Sequence, residues 1–584
     1  MPISNPRNGS CCYWSVLSIY LMLLTHGLTI IAEDQNHDIL VTDDDLINHE
    51  NDDPYRTAYH FQPPNNWMNG PMIYKGIYHF FYQYYPHDVV WHTEIIWGHS
   101  TSTDLINWTP QPIALSPSES YDINGCWSGS TTILPGNKPA IVYTGIDNQK
   151  FQVQNLALPK NLSDPYLKEW YKVPQNPIMF GTPSTSNTIN ASEFRDPTTA
   201  WKLSDGKWRA IVGTQQGKRG IAVLYTSEDF IKWTLIEHPF HSAEGNGVWE
   251  CPDFFPVYVG KSLGADTSVI GEEVKHVLKL SLFDTQYEYY TIGRYDIDKD
   301  IYVPDEGSVE NNLGLRYDYG KFYASKSFFD DEANRRVLWG WAIPRTIVLD
   351  KSGKQLVQWP LKEVETLREN QVDLLPQVIG GGSLIEVAGI TASQADVEVS
   401  FKIPETKHVE EFDPTWTNPQ ILCSKKGTSV KGRIGPFGLL TLASKGLEEY
   451  NAVFFKIFRA PNKYVVLMCA DPSRSSLNPT TDKLGFGTFV DVDPLNEDLS
   501  LRILVDHSIV ESFGANGKNC ITTRVYPTLA VNDKAKLYAF NYGKEDVEIT
   551  KLSAWSMKKA QINLTTEKNS NVVNQNNKED KEDL

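Results

Sequence analysis

Short runs of aromatic and β-branched residues follow one another through most of this sequence, and Gly, Asn, Asp and Pro separate them. Residues 77–84, 140–143, 209–212 and 277–282 are examples. Runs of this length between turn residues are typical of β-strands. Long amphipathic helical patterns are nearly absent. The pattern therefore predicts an all-β protein.

One segment of the sequence occurs twice. Residues 102–108 and 227–233 both read S-x-D-(L/F)-I-x-W. Repeated segments of this kind are typical of radially arranged four-stranded blades, as in a β-propeller. The alternative is convergent turn chemistry, because Ser and Asp favour turns in any fold.

The length of 584 residues exceeds what one compact core usually holds, so we expect two folded domains. The pattern changes near Arg368, where a short helical stretch at 362–370 precedes the Gly-rich segment 380–383. Further strand-like segments follow, at residues 397–403, 464–469 and 501–505. They predict an antiparallel sandwich as the second domain.

The charge balance excludes one class of partner. Fifty-four basic side chains against 72 acidic ones give a net charge of −18, which disfavours binding to nucleic acid. No Cys or His spacing is typical of a metal site, and we expect neither a metal nor another cofactor.

The N-terminus has the features of a secretory signal. Arg7 precedes an apolar run at 16–24, and small residues follow near Ala32, so residues 1–32 are predicted to be a signal peptide. A signal anchor is the alternative, because apolar residues continue through 30–31, but we expect no stable membrane association. Residues 33–53 form a polar leader. The polar residues 559–584 are predicted to be a disordered tail. Glycosylation sequons lie at Asn107, Asn161, Asn190 and Asn563.

Two short motifs place a carboxylate beside aromatic and Pro residues. Residues 194–197 read Phe-Arg-Asp-Pro, and residues 249–254 read Trp-Glu-Cys-Pro-Asp-Phe. Such surroundings partly dry a carboxyl group and can move its pKa. A third motif, residues 66–72, reads Asn-Trp-Met-Asn-Gly-Pro-Met. Residues 126–130, Cys-Trp-Ser-Gly-Ser, lie between the third motif and the other two.

In their order and spacing these motifs resemble those of the plant acid invertases and fructan exohydrolases, glycoside hydrolase family 32. The resemblance implies a five-bladed β-propeller at 54–368, a linker at 369–383 and a β-sandwich at 384–558. It also implies a site in the central funnel of the propeller and a disulfide between Cys423 and Cys469, which an oxidising compartment allows.

The resemblance further implies a retaining glycosidase, which needs a nucleophilic carboxylate and an acid/base carboxyl group. Glu250 matches the acid/base residue, and Asp196 matches the carboxylate that stabilises the transition state. The family motif W-M-N-D-P-N-G-P carries the nucleophile, but this chain lacks D-P-N between Asn69 and Gly70. We therefore expect hydrolysis by this chain to be impaired. Arg195 and Phe283 are predicted to contact the substrate, and further substrate-binding residues carried over from the family are Asn66, Trp67, Asn69, Gln83, Trp91, Trp127 and Ser128. For each of them, the alternative is a role in the core or in a turn.

A small segment bears on the substrate. Sucrose-cleaving members of the family read S-L-D-D-T-K where this chain reads S-L-F-D-T-Q at 281–286. Phe283 and Gln286 thus replace two charged residues, which leaves sucrose hydroxyls poorly paired and favours fructan as the substrate. The segment does not separate β-2,6 from β-2,1 linkages. A sucrose-cleaving cell-wall invertase and an inactive fructan- or sucrose-binding protein are the alternatives. We expect a secreted monomer in the apoplast or cell wall, with the vacuole as the alternative.

Two further segments carry expectations. Family members have about twenty more residues near 341–345, so we expect a strand or more to be lost from one blade. Residues 506–513, Asp-His-Ser-Ile-Val-Glu-Ser-Phe, contain the residue types of a catalytic triad. Neighbours on one strand point to opposite faces and cannot converge as a triad must, so we predict a structural motif there.

Overall fold

The fold is described from a computed structural model, which covers residues 53–61, 66–68, 70–85, 92–181, 189–404 and 408–562, without the side chains at 66–68. Every element belongs to one compact unit, Pro54–Leu584. In these ranges no helix has the length and apolar character that crossing a bilayer requires. The predicted signal peptide, nearly all of the polar leader and Asn563 lie outside the described residues.

Five antiparallel sheets follow one another along the chain and form the blades of a β-propeller. Blade 1 contains β1 (Asn66–Met68), β2 (Met72–Tyr74), β3 (Ile77–Tyr84), β4 (Ile96–Ser102) and β5 (Thr109–Leu115). Blade 2 contains β6 (Cys126–Leu134), β7 (Lys138–Ile146), β8 (Gln152–Pro159), β9 (Trp170–Lys172) and β10 (Met179–Phe180). Blade 3 contains β11 (Trp201–Lys202), β12 (Trp208–Gln216), β13 (Arg219–Ser227), β14 (Thr234–Leu235) and β15 (His241–Ala243). Blade 4 contains β16 (Trp249–Tyr258), β17 (Val274–Leu282), β18 (Tyr287–Asp296) and β19 (Ile301–Pro304). Blade 5 contains β20 (Lys326–Asp330), β21 (Arg335–Trp339), β22 (Arg345–Leu349) and β23 (Leu356–Pro360).

Hydrogen bonds connect the first strands of the blades around the propeller axis. Thr131 on β6 donates to the Pro71 carbonyl of blade 1 at 3.0 Å. Ser130 on β6 donates to the Pro197 carbonyl, which precedes β11, at 2.7 Å. Lys326 on β20 donates to the Pro252 carbonyl of β16 at 3.0 Å. These contacts bring the starts of the first strands together at one funnel.

The repeated sequence segment forms the same turn in blades 1 and 3, after the third strand of each sheet. Ser102 Oγ accepts the Leu105 N–H at 2.8 Å, and Ser227 Oγ accepts the Phe230 N–H at 2.9 Å. Leu105 and Phe230 both have positive φ, at 62° and 66°. The repeat therefore marks equivalent positions in two blades.

Two seven-stranded sheets form the C-terminal sandwich. Its strands are β24 (Arg368–Leu374), β25 (Gln377–Ile379), β26 (Ser383–Glu386), β27 (Gln394–Lys402), β28 (Glu410–Glu411), β29 (Ile434–Ala443), β30 (Tyr450–Ala460), β31 (Lys463–Arg474), β32 (Phe486–Val490), β33 (Leu499–Asp506), β34 (Ile509–Gly514), β35 (Asn519–Arg524), β36 (Lys536–Asn541) and β37 (Val547–Met557). One sheet has the order β24-β37-β27-β33-β34-β35, with β25 on β37, and the other β26-β36-β29-β30-β31-β32, with β28 on β30. Alternate residues of β27 and β29, such as Val399 and Leu439, fill the core between the sheets. The propeller and this sandwich confirm the predicted fold.

Helices are few and short. The helix α1 (Pro419–Lys425) begins at Asn418, whose side chain accepts the Ile421 N–H, and two 3₁₀ turns cover Lys362–Leu367 and Asn532–Lys534. Cys423 of α1 is bonded to Cys469 of β31, which confirms the predicted disulfide.

The structure differs from the sequence expectation at both ends of the sandwich. The predicted linker 369–383 contains most of β24 and all of β25, because both segments pair with β37. Residues 559–562, which the sequence places in the tail, lie against blade 1. There Gln561 accepts the Trp108 N–H at 2.8 Å through its carbonyl, and Ile562 forms a bridge with Trp108.

Blade 5 keeps four strands, so the expectation that a strand is lost is wrong. Each of its strands has five residues, whereas β17 and β18 of blade 4 have 9 and 10. The last pair of the β21–β22 hairpin is Leu338 with Arg345. An antiparallel hairpin that loses residues at its turn shortens both strands and retains the pairing at the other end.

Candidate active site

A β-bulge at the start of β16 positions Glu250. Glu250 pairs with Ser281 of β17, but the next pair joins Asp253 to Lys279, so the register shifts between Glu250 and Asp253. A bulge bends a strand and re-aims the side chains at that point. Cys251 within the bulge has φ +44°, which is strained for a non-glycine residue. The bulge that orients Glu250 thus contains a strained backbone conformation at Cys251.

Glu250 lies in a nearly dry, hydrogen-bonded position. Its side chain is 16% exposed, and Oε1 accepts the Nε–H of Arg195 at 3.0 Å. The Tyr323 hydroxyl donates to Oε2. Burial raises the pKa of Glu250, Arg195 opposes the rise, Asp196 adds to it, and the hydrogen bond from Tyr323 opposes it. A carboxyl group with a raised pKa is suited to donate a proton in mildly acidic solution.

Asp196 is held next to Glu250. Its Oδ2 accepts the backbone N–H of Cys251, the residue that follows Glu250, at 2.9 Å. Its own N–H donates to Thr144 Oγ1 at 2.9 Å, its side chain is buried, and its φ is +66°. Asp and Asn tolerate this left-handed conformation better than most residues. The two carboxylates that the sequence singled out therefore share one site.

Arg195 connects these carboxylates to their surroundings. Besides Glu250, its guanidinium donates to Gln152 Oε1 at 3.1 Å and to Glu193. The guanidinium carbon lies 5.6 Å from the ring centroid of Phe283, whose side chain is 49% exposed. Phe283 thus lies at the rim of the site and presents an apolar surface there.

Two buried lysines bind backbone carbonyls next to the two carboxylates. Lys326 donates to the carbonyls of Pro252 at 3.0 Å and of Pro197 at 3.3 Å. Lys279 donates to the Cys251 carbonyl at 2.7 Å and forms an ion pair with Glu288 at 3.2 Å. The ammonium groups thereby connect the two carboxylate motifs to blades 4 and 5.

A second bulge in blade 2 positions Trp127 and Ser128. On β6 the register shifts between Cys126 and Gly129, so both side chains lie within the bulge. Trp127 Nε1 donates to the Thr93 carbonyl at 2.9 Å. Gln83 of β3 donates to Ser128 Oγ at 2.9 Å. These predicted binding residues thus form a second polar group on blades 1 and 2.

The shortened first motif lies on the same side of blade 1. Trp67 of β1 pairs with Gln83, Met68 pairs with Tyr82, and Met72 of β2 pairs with His79. Between Met68 and Met72 the pairing partner on β3 therefore moves from Tyr82 to His79. The Asn66 and Trp67 side chains, Asn69 and Trp91 lie outside the described residues.

Several neighbours of the site were not predicted. Tyr323, Gln152, Glu193, Lys279 and Lys326 all contact the site or its backbone. Glu193 lies two residues before Arg195, which is a local signal. The others come from distant segments, so no sequence pattern identifies them.

The segment 506–513 has a structural role, as predicted, but it is not one strand: Asp506 ends β33, residues 507–508 form the turn, and β34 begins at Ile509. Asp506 accepts the backbone N–H groups of Ala58, Tyr59 and His60 at 2.7–2.9 Å. Glu511 accepts the Ile343 N–H at 2.6 Å. Ser508 donates to the Tyr55 carbonyl rather than to a histidine.

The predicted glycosylation sequons among the described residues differ in exposure. Asn161 and Asn190 are exposed, whereas Asn107 is half-buried and donates to Asp104 at 2.7 Å. Glycosylation at these sequons stays a prediction. Among the described residues, no group of three His, Cys, Asp or Glu side chains is arranged to hold a metal ion.

Comparison with known proteins agrees with this geometry. The model of the glycosyl hydrolases family 32 N-terminal domain matches residues 60–343, and the model of the family 32 C-terminal domain matches residues 363–556. A fructan 6-exohydrolase from Beta vulgaris is 74% identical, over 99% of this chain and 100% of its own length. An insoluble beta-fructofuranosidase isoenzyme, CWINV3, from Arabidopsis thaliana is 54% identical over 90% of this chain and 93% of its own.

A solved structure is similar over the same range. The crystal structure of fructan 1-exohydrolase IIa from Cichorium intybus has a TM-score of 0.84 and 49% identity, covering 87% of this chain and 98% of that one. A variant of that enzyme in complex with 1-kestose matches with the same TM-score. The resemblance read from the motifs is confirmed: the chain belongs to glycosyl hydrolase family 32.

Proposed function

We propose that this chain carries the substrate site of a fructan exohydrolase, which binds the terminal non-reducing β-D-fructofuranosyl unit of a fructan. The observation that carries the proposal is the bulge at the start of β16, which places Glu250 beside Asp196 and Arg195. The relative with 74% identity is a fructan 6-exohydrolase, so we assign β-2,6-linked fructan as the preferred substrate and β-2,1-linked fructan as second.

In this proposal each polar group has one task. Glu250, whose pKa burial raises, protonates the leaving oxygen and later activates water. Asp196 binds fructosyl hydroxyls and stabilises the oxocarbenium-like transition state. Arg195 holds the Glu250 carboxylate in place through its Nε–H at 3.0 Å. The reaction is a retaining hydrolysis, which needs a nucleophilic carboxylate opposite Glu250.

That carboxylate is what the chain lacks. In blades 2 and 4, the functional side chains lie in bulges at the start of the first strand. In blade 1 the corresponding interval holds only residues 69–71, and the family motif would add Asp-Pro-Asn there. The alignment with the Beta vulgaris enzyme spans 609 positions against 584 residues in this chain, so at least 25 positions are unmatched here. Loss of a nucleophile commonly costs several orders of magnitude in rate, about 10⁴-fold or more.

The rim residue Phe283 favours fructan over sucrose. Its ring is 49% exposed beside Arg195, where an acidic residue would have to accept hydroxyl hydrogen bonds from glucose. A sucrose-cleaving invertase is the alternative enzyme, since the Arabidopsis relative at 54% identity is a beta-fructofuranosidase. That relative is an insoluble isoenzyme, and a cell-wall isozyme from Pisum sativum is also 54% identical, which supports the cell wall as the location.

A second candidate function follows from the missing carboxylate. A chain that keeps Glu250, Asp196 and Arg195 but has no nucleophile would bind fructan without releasing fructose. Such a chain is a fructan-binding protein rather than an enzyme. A site damaged by the gap would not bind fructan, so a binding measurement separates the two cases.

The test inserts Asp-Pro-Asn between Asn69 and Gly70. We expect fructose release from levan to rise at least 10³-fold over the unmodified chain, with smaller rates on inulin and sucrose. The same insertion combined with Glu250→Gln is the matched control and should remove the gain. Calorimetry of the unmodified chain with 1-kestose measures binding separately.

The binding and hydrolysis results separate the three candidate functions. Binding of 1-kestose without hydrolysis by the inserted variant would support the binding protein. A faster release from sucrose than from levan would support the invertase. If the inserted variant neither binds 1-kestose nor releases fructose from any substrate, the proposed site is wrong.

A further inference from the structure

A separate pocket lies where blade 4 meets the sandwich. Its volume is about 320 Å³. The propeller contributes Tyr287, Asn312, Arg316 and Tyr319 to its wall, and the sandwich contributes residues 417–420 and 487–489. We call it the Arg316 pocket. Its lining shares no residue with the carboxylate site described above.

Arg316 is a buried cation without a carboxylate partner. Its side chain belongs to a residue only 8% exposed, and no Asp or Glu of the described residues forms an ion pair with it. The guanidinium carbon lies 3.9 Å from the ring centroid of Tyr287 and 5.8 Å from that of Tyr319. Its Nη2 donates to the Asn312 carbonyl, but its Nε has no hydrogen-bond partner among the described residues. Buried charges are normally paired, so this arrangement calls for a partner from outside.

Hydrogen bonds to their oxygens orient three amide side chains of the lining. Tyr287 donates to Gln420 Oε1 at 3.1 Å, Thr285 donates to Asn312 Oδ1 at 3.0 Å, and Ile421 N–H donates to Asn418 Oδ1 at 3.1 Å. Each of the three amide oxygens therefore already accepts one hydrogen bond. The NH₂ groups of the same amides have no hydrogen-bond partner in the described part of the chain. No acidic residue lines the pocket.

We propose that the Arg316 pocket binds a small oxyanion, a carboxylate or phosphate group that is either free or carried on a sugar. A planar guanidinium and three amide NH₂ groups are the donors that such a group needs. The Tyr287 ring, one face of which Arg316 covers, adds an aromatic wall to the pocket. The net charge of the chain is −18, so most of its surface repels anions. The buried Arg316 guanidinium would therefore attract an anion to this pocket rather than to the surface in general.

The pocket is linked to the rim of the carboxylate site. Asn312 is hydrogen-bonded to Thr285, which lies in the β17–β18 turn with Phe283. Phe283 contacts Arg195. A ligand in the Arg316 pocket would therefore contact Asn312, which is bonded to Thr285 of the β17–β18 turn. Phe283 of the same turn faces the substrate site.

The test follows thermal unfolding of the full chain with two ligand pairs. Sodium phosphate is compared with sodium chloride at equal ionic strength, and D-galacturonate with D-galactose, which has the same ring without the carboxylate. We expect phosphate or galacturonate to raise the Tm by a few degrees, because a ligand that binds only the native state stabilises it. A response to phosphate alone assigns a free oxyanion, and a response to galacturonate assigns a sugar-borne one.

Variants connect the response to the pocket. Arg316→Met should lose the rise in Tm, whereas Arg294→Met, which removes an exposed arginine from β18, should keep it. Asn312→Asp retains the acceptor for Thr285 and adds a fixed negative charge. It should melt higher than the unmodified chain without added anion and respond less to phosphate. This variant tests the proposal even if Arg316→Met does not fold.

Three results would overturn the proposal. One is an equal rise in Tm for Arg316→Met and the unmodified chain. Another is a rise with galactose as large as that with galacturonate. The third is no response of the unmodified chain to either anion. None of these readouts depends on hydrolysis, so they are independent of the proposed function.

Discussion

At the scale of single residues, the site is governed by what surrounds one carboxyl group. Burial raises the pKa of Glu250, while Arg195 and Tyr323 stabilise its charged form. On balance the pKa of Glu250 lies above its ordinary value. Tyr323 is the contact that can be removed with the least disturbance, since it differs from Phe by one hydroxyl group.

We therefore predict that Tyr323→Phe raises the pKa of Glu250 further. The variant removes a donor that favours the ionised carboxylate and leaves the burial unchanged. The measurement is infrared spectroscopy of the protonated carboxyl band across a pH series, with Glu250→Gln as the reference to subtract. The band should persist to higher pH in Tyr323→Phe than in the unmodified chain.

The control for this prediction is Tyr317→Phe. Tyr317 is fully buried, and its hydroxyl has no hydrogen-bond partner among the described residues. Its removal should leave the titration of Glu250 in place. A pKa of Glu250 that is unchanged or lower in Tyr323→Phe would contradict the role assigned to this hydroxyl.

At the scale of elements, the strands could be predicted and the bulges could not. Residues 77–84 form β3 as their continuous aromatic run predicts, and the six residues between the two ends are all buried. The register shifts at Glu250 and at Trp127 depend on the pairing partner. One strand alone does not contain that information, so the positions of the carboxylates required the family resemblance.

Blade 5 shows a second feature that could not be predicted from the sequence, namely how a blade accommodates missing residues. The missing residues suggested a lost strand, but shortening took place at the β21–β22 turn and left all four strands paired. Blade 1 packs on blade 5 through Phe80 and Trp339, whose ring centroids are 4.3 Å apart, and lacks Asp-Pro-Asn between Asn69 and Gly70. Two neighbouring blades thus lose length while the closure of the propeller is retained.

Between blades, we predict that Lys326→Met weakens both the fold and the site. Lys326 donates to the carbonyls of Pro197 and Pro252, and removal of the ammonium takes this donor from both, while Pro197 keeps the Ser130 hydroxyl. The expected loss is about 1–3 kcal/mol in the free energy of unfolding, with weaker binding of 1-kestose. Urea unfolding and calorimetry measure the two effects.

Lys202→Met on β11 is the matched control for that prediction. The Lys202 ammonium contacts the Trp208 ring and is only half-buried, so its loss should change stability by less than about 0.5 kcal/mol. Wild-type stability and wild-type affinity in Lys326→Met would show that the ammonium does not connect the two motifs.

At the scale of the whole molecule, one buried polar network joins three distant parts of the chain. His60 lies 2.9 Å from Asp506 and 2.7 Å from Glu511, and both carboxylates are on the sandwich. Arg345 of blade 5 binds Glu511 at 2.6 Å and Asp318 at 2.8 Å. More than 440 residues separate His60 from Asp506, so the sequence could indicate a structural motif at 506–513 but not its partners.

This network gives the stability of the whole protein a defined pH dependence. Burial alone would lower the pKa of His60, but the hydrogen bonds to Asp506 and Glu511 outweigh it and raise the pKa to about 9, from an ordinary value of 6.5. The protonated His60 therefore stabilises the fold fully below pH 6.5, and this contribution is lost as the pH rises to about 9. His60 and Arg345 in turn lower the pKa values of the two carboxylates, whose contribution is lost only as the pH falls.

We predict that the difference in unfolding free energy between the unmodified chain and His60→Gln shrinks as the pH rises from 6.5 to 9. The pKa shift corresponds to a decrease of up to about 3 kcal/mol, measured by urea unfolding at each pH. His238→Gln, which removes an exposed histidine, should show no such change. A difference that stays constant over this range would mean that folding does not raise the pKa of His60, and Arg345 would then supply the positive charge of the network.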